Sequence, residues 1–257
     1  MVKKSVISIT RHAARMYIFA DMKPKVICHI MGSVDGRLLP SCWTAPYGDV
    51  DAAELFKEYA AIGRTLGADA WMFGKATTQE FFPGRLFPGS DKRAEADAIH
   101  KAERRSERLF ITIDPDADIL FTAGTLRGDD MLVVTDTGAS ADYLDMLRDK
   151  GISYMVTEPD APLADTLAAI GREFGVKTIS LQGGGIIDGA MLAAGVIDEL
   201  SLVVYPGIDG SAASPSIFEY LGAPNCRPAV GQALELLGVE RRAHGVVWMR
   251  YRFHKVK

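Results

Sequence analysis

Leu181-Gln182-Gly183-Gly184-Gly185 is the segment from which the fold of this chain can be worked out. The apolar run Thr178 to Leu181 leads into it, and Ile186 to Ala194 follows with helical spacing. Ile186 or Ile187, Ala190, Met191 and Ala194 form the inward face of that helix, and Gly195 closes it as a C-cap. Strand, glycine turn and helix together present free backbone N–H groups and a helix N-terminus to an anion. Without Cβ atoms, a phosphate can approach the backbone closely. A tight turn whose glycines only supply positive φ is the plainer reading. Three consecutive glycines in this setting favour a phosphate or pyrophosphate. The run is not a GxGxxG fingerprint, and no Walker lysine follows it.

Outward from this point the chain alternates strand-like and helix-like segments. Strands are expected at Val26 to Met31, Ala70 to Phe73, Leu109 to Ile113, Met131 to Thr135, Ser153 to Val156 and Leu200 to Tyr205. Helices are expected at Val50 to Leu66, with Asp49 or Asp51 as N-cap, at Ala141 to Lys150 and at Pro162 to Phe174. The mixed charges of Asp91 to Arg108 predict a solvated helix. This alternation indicates βαβ units and a mostly parallel sheet covered on both faces. Ala229 to Val239 and Val246 to Phe253 are two strands in succession and should pair antiparallel. The expected fold is therefore a three-layer α/β/α domain over residues 22–257, with a C-terminal antiparallel hairpin. Residues 1–21 carry Lys3, Lys4, Arg11 and Arg15 and no acid before Asp21. They read as an N-terminal extension or an over-extended start, with Met22 as an alternative initiator, or else as a targeting peptide.

Composition narrows the function. The 257 residues hold 29 basic and 33 acidic side chains, a formal charge of −4, which excludes a surface built on a basic stripe for nucleic acid. No run of eighteen apolar residues is present to span a membrane. Cys28, Cys42 and Cys226 are too few and too scattered for a disulfide framework, so a reducing, cytoplasmic setting is expected. Two further segments follow strands. Gly74-Lys75-Ala76-Thr77 offers a freed turn and a hydroxyl that can bind a ligand or cap a helix. Ser33-Val34-Asp35-Gly36-Arg37 offers a turn and a carboxylate. In open α/β sheets ligands gather beyond the carboxyl ends of the strands, where all three segments fall. His29 alternates with apolar residues and reads as a satisfied core histidine. His12, His100, His244 and His254 make no metal set with the cysteines.

From Lys25 to Phe253 the chain resembles the pyrimidine reductases of riboflavin biosynthesis, which share a dihydrofolate-reductase-like fold. Ser33-Val34-Asp35-Gly36 looks like that family's S-x-D-G, Ser41-Cys42-Trp43 like its S-x-W, and Gly74 to Thr77 like its G-x-x-T. Arg64 looks like an arginine near the end of the following helix. Leu181 to Gly185 with Gly195-Val196-Ile197-Asp198-Glu199-Leu200 is similar to its GGG…G-L-[IV]-D-E-L stretch. No deaminase zinc motif accompanies it. The resemblance implies NADPH as hydride donor, with Gly183, Gly184, Gly185 and Ile186 at the pyrophosphate and Gly74 and Thr77 beside the cofactor. It places Ser33, Asp35, Ser41, Trp43 and Arg64 at or near a small-molecule substrate, a phosphorylated ribosylamino-pyrimidine whose opened ribose is reduced. Trp43 would stack on the pyrimidine, Arg64 would fork the phosphate, and Asp35 would act as proton donor or as a ligand to substrate amines. A homodimer is implied as well. Two departures stand out: Phe81 and Gln182 occupy positions where the family carries acids. They leave a pterin-related substrate open, and they keep alive the alternative of a catalytically silent nucleotide-binding protein.

Overall fold

Every residue of β1 (Lys25–Gly32) after Lys25 is buried. Val26, Cys28 and Ile30 point into one apolar cluster, and Met31 points into another on the opposite face. A strand buried on both sides belongs in the middle of a parallel sheet. In the computed structural model, which describes residues 23–48, 50–89, 98–223 and 225–256, β1 lies between β8 (Thr178–Leu181) and β9 (Glu199–Val204), parallel to both. Beyond β8 come β2 (Ala70–Gly74), β4 (Leu109–Ile113), β6 (Asp129–Asp136) and β7 (Ser153–Thr157), all parallel. Beyond β9 come β11 (Val247–Lys255) and then β10 (Gln232–Arg241), both antiparallel. Short strands finish the other side: β3 (Ile99–His100) pairs with β7, and β5 (Thr125–Leu126) pairs with β6. The order is β10-β11-β9-β1-β8-β2-β4-β6-β7-β3, so the expected mixed sheet and C-terminal hairpin are both present.

Helices cover both faces. On one side lie α1 (Ala52–Thr65), α2 (Lys75–Phe81) and α3 (Ala141–Asp149). Asp51 caps α1 by accepting from the Ala53 amide, and Leu55 and Ile62 pack on Met31, Val203 and Trp248. Ser140 caps α3, whose Tyr143, Leu144 and Leu147 pack on Phe110, Met131 and Val133. On the other side lie α4 (Leu163–Phe174) and α5 (Gly185–Ala193), packed on β1, β6 and β8. Gly175 ends α4 at a φ of 70°, the left-handed turn that favours glycine.

One expected element is corrected. Of Asp91 to Arg108, residues 91–97 lie outside the described residues, and residues 98–108 are not helical. Ile99 and His100 join the sheet, and the following loop is held by Asp130, whose carboxylate accepts from the amides of Arg105 at 2.6 Å and Ser106 at 2.7 Å. The charges of this stretch pair with other elements, as in Lys101–Glu173, Arg105–Asp130 and Arg108–Asp129, rather than along a helix. The N-terminal extension 1–21, Met22 and Asp49 lie outside the described residues.

Candidate functional site

The glycine segment leaves β8 and is stitched to β2 beside it. Gln182 N donates to Met72 O at 2.8 Å, Gly74 N to Gly183 O at 2.9 Å, and Gly184 N to Thr77 Oγ1 at 2.9 Å. The Gly183–Gly184 peptide is cis. A Cβ on Gly74 would lie 3.1 Å from the side chain of Ile187, so this glycine seats α5 on the end of β2. Ile187 is buried and Ile186 half exposed, which settles the inward face left open above. Because the Thr77 oxygen accepts from Gly184, its own hydrogen is free to donate outward. The amides of Gly185, Ile186 and Ile187 open α5 and have no partner within the helix. A Cβ on Gly184 would meet only Thr77 Oγ1, at 3.4 Å. Open amides, a hydroxyl donor and this bare backbone fit the pyrophosphate of a dinucleotide.

Gly185 has a different task. The segment 214–219 lies across it: Glu219 N donates to Gly185 O at 2.8 Å, and a Cβ on Gly185 would stand 2.2 Å from Ser216 O. The same strap is tied to the turn after β1, where Leu38 N donates to Pro215 O, Ile217 N to Gly36 O and Arg37 Nη1 to Ser214 O. Beneath the glycines, in the first turn of α5, Asp188 is fully buried and neither carboxylate oxygen has a partner. Burial pushes this carboxyl well above the usual range, with the Cys28 thiol beside it opposing the shift.

The turn after β1 carries the second half of the site. The Asp35 carboxylate accepts from Ser33 Oγ at 2.6 Å, Asp209 N at 3.1 Å and Gly210 N at 2.8 Å. The Ser33 hydroxyl above all, then the two amides, hold it well below the ordinary carboxylate range. It stays ionised, which suits a ligand for a substrate amine and not a proton donor. Trp43 packs against Tyr205 with ring centroids 4.7 Å apart, and its indole Nε1 is buried without a partner. Ser41 is exposed on the one-turn helix Pro40–Cys42, beside the Cys42 thiol. Arg64 is not brought to this cluster. It is exposed in the last turn of α1, five residues before Asp69, and Asp69 binds the amides of Lys177 and Thr178 at the opposite, N-terminal end of the strands. A helix returning antiparallel to its strand carries its last turn away from the crevice. Arg37, which the spacing did not single out, is the cation of this half: its guanidinium donates to Ser214 O while its Nε is buried without a partner.

Phe81 is half buried, edge-on to Phe73 and Phe110 and under the Arg127 guanidinium, so an apolar core replaces the expected acid. The Gln182 side chain donates to Ser180 Oγ. His29 is, as expected, a satisfied core histidine. Trp248 Nε1 donates to Ser201 Oγ at 2.8 Å, which leaves the serine hydrogen for His29 Nδ1 at 3.0 Å and fixes the imidazole proton on Nε2, facing Tyr59 O at 3.2 Å. Among the described residues no group of three His, Cys, Asp or Glu side chains is placed to hold a metal ion, and no helix is long and apolar enough to cross a membrane.

A family model described as the RibD C-terminal domain matches residues 24–248. The chain belongs to this family. Solved structures carry the same fold at low identity. A pyrimidine reductase-like protein from Corynebacterium diphtheriae is 21% identical with a TM-score of 0.64, covering 90% of this chain and 92% of that one. The riboflavin biosynthesis reductase of Saccharomyces cerevisiae is 12% identical with a TM-score of 0.57, covering 91% of each. RibD of Acinetobacter baumannii is 18% identical with a TM-score of 0.56, and this chain, matched over 90% of its length, spans 58% of it. The RibD C-terminal domain of this chain thus has its motifs gathered at the carboxyl ends of β1, β2 and β8.

Proposed function

We propose that this RibD C-terminal domain is a reductase that transfers hydride from a reduced nicotinamide dinucleotide to a pyrimidine- or pterin-related compound, resembling 5-amino-6-(5-phosphoribosylamino)uracil reductase. The observation that carries the reading is the pair of half-sites joined by one strap: the open amides of α5 with the Thr77 hydroxyl on one side, and Asp35 with Trp43 on the other. When bound, a reduced nicotinamide dinucleotide, which the family resemblance gives as NADPH for the relatives, would supply the hydride. The chain's own residues bind, orient and exclude water. The open α5 amides, Ile186 among them, and the Thr77 hydroxyl hold the pyrophosphate over the bare backbone of Gly184, Gly74 seats the helix that does so, and Gly185 admits the strap. Trp43 gives a flat apolar surface for a heterocycle, and Asp35 accepts from its amines. Arg37, rather than Arg64, is the cation in reach of a substrate phosphate.

Titration of the purified protein with NADPH and NADH, followed by oxidation assays over pyrimidine and pterin substrates, tests this reading. Binding followed by turnover on one substrate class supports it. Phe81, packed where the family carries an acid, favours the second reading, a silent nucleotide-binding protein, and binding without turnover over the whole panel would select it. Absence of dinucleotide binding would overturn both.

A further inference from the structure

The sheet order gives a bound dinucleotide a direction. Its pyrophosphate sits at the end of β8, and the substrate half of the site lies at the ends of β1 and β9. The nicotinamide must meet the substrate, so the adenosine half runs the other way, over the ends of β2 and β4. That is two strand spacings from β8, about 10 Å, within the span of an extended adenosine half. The first residue met there is Lys75, which opens α2 directly after Gly74. Its ammonium is already taken, with Nζ 2.7 Å from Asp116 Oδ2 and 2.6 Å from Asp118 Oδ2. Lys75 and Asp118 are about three-quarters buried, whereas Asp116 is largely exposed. The three groups carry a net charge of −1. Asp114 is buried behind them, its Oδ2 accepting from the Tyr143 hydroxyl and its Oδ1 without a partner. Charged groups on neighbouring segments include Arg85, exposed two residues before Phe87, whose amide donates to Asp118 O, and Asp136 at the end of β6, whose carboxylate accepts from Gly138 N.

A 2′-phosphate on the adenosine ribose would bring about two negative charges to this corner, whereas an unmodified 2′-hydroxyl can donate to a carboxylate. Resting on the dinucleotide reading above, we infer that this chain takes NADH in preference to NADPH, and that Asp116 and Asp118, by occupying Lys75, set the preference. The deciding groups are on the adenosine side and touch no reacting atom, so the discrimination is one of binding.

The test is a direct titration without substrate, following quenching of tryptophan emission by NADH and, separately, by NADPH. NADH binds the unaltered protein at least about tenfold more tightly, the scale of one lost charge pairing at a desolvated contact. In the double variant Asp116→Asn with Asp118→Asn, Lys75 is released, NADPH affinity rises and the ratio narrows by about the same factor. Asp116→Asn alone, at a largely exposed position, moves the ratio in the same direction. NADPH binding as tightly as NADH, or an unchanged ratio in both variants, overturns the inference and leaves the reductase reading standing. Failure to bind either dinucleotide overturns the reductase reading, and this inference with it.

Discussion

Gly184 is the residue at which cradle and scaffold separate most cleanly. Its φ is −68°, open to any residue, and a Cβ there meets only the Thr77 hydroxyl. Gly183, at a φ of +84° with Ile30 Cδ1 2.9 Å from a built Cβ, has no such tolerance. Gly184→Ala is therefore expected to fold and melt like the parent. Gly184→Asp is expected to fold as well but to lose dinucleotide binding, because it sets a carboxylate where the pyrophosphate belongs. Parallel melting curves and fluorescence titrations of the two variants decide the matter, and unchanged affinity in Gly184→Asp would remove the pyrophosphate from this position. The sequence reads the triple glycine as a single anion cradle. What the sequence could not convey is that its members differ: one turns the chain, one is left bare but for the Thr77 hydroxyl, and one makes room for Ser216 of a distant loop.

At the scale of elements, α5 carries a second glycine whose need is tertiary. Alanine replacing glycine inside a helix ordinarily gains about 1 kcal/mol. At Gly189 the sign reverses, since a Cβ would stand 2.1 Å from Glu219 O and 2.8 Å from Tyr220 N. Gly189→Ala is expected to lower the melting temperature, and a rise would show the strap to be easily displaced. The parallel strands were legible because buried β-rich runs recur between helical periods. The helix assigned to Asp91–Arg108 failed because the Asp130 carboxylate, 22 residues beyond that stretch in the chain, takes the amides of Arg105 and Ser106. Arg64 was misplaced for a related reason: periodicity tells the face of a helix and not the end of the sheet at which it stops. β10 leaves Leu234, Leu236 and Val239 exposed on the outermost strand, with a bulge between Leu236 and Gly238. For the homodimer that the family resemblance implies, we propose this exposed face as the interface; a parent chain that sediments as a monomer would overturn it. Leu236→Glu should convert the sedimenting species to monomer, and an unaltered dimer would put the interface elsewhere.

Over the whole molecule, two buried groups tilt stability in opposite directions with pH. His29 has its pKa pulled down to about 4, first by burial, so the unfolded chain takes up a proton near pH 6.5 while the folded chain refuses it. Its contribution is complete above pH 6.5 and is lost as pH falls towards 4, about 3 kcal/mol in all. Asp188 works the other way. Its folded pKa is raised, so stability is complete below the usual carboxylate range and declines as pH rises towards the folded value. Between about pH 4 and 6.5 the two slopes oppose each other, so unfolding free energy measured by denaturant titration should stay nearly level there and decline along an alkaline limb above pH 6.5. His29→Gln should make the decline begin already below pH 6.5, because the Asp188 slope is then unopposed, and Asp188→Asn should lift the alkaline limb, with its advantage over the parent growing with pH. An alkaline limb unchanged in Asp188→Asn would mean that this carboxyl ionises freely. Gly63 is part of the same arrangement, since a Cβ there would lie 3.1 Å from His29 Nε2.

The strap of residues 214–219 has a thermodynamic consequence. It is hydrogen-bonded at one end to Gly36, Arg37 and Leu38 and at the other to Gly185, so neither half-site can shift without moving a backbone shared with the other. Two ligands that each bias one shared element obey reciprocity: the factor by which the first alters the affinity of the second is the factor it receives in return. If a heterocycle that settles the Ser33–Arg37 turn alters dinucleotide affinity through the strap, the dinucleotide must alter the heterocycle's affinity by the same factor, so the chain would act as a balance with two pans on one beam.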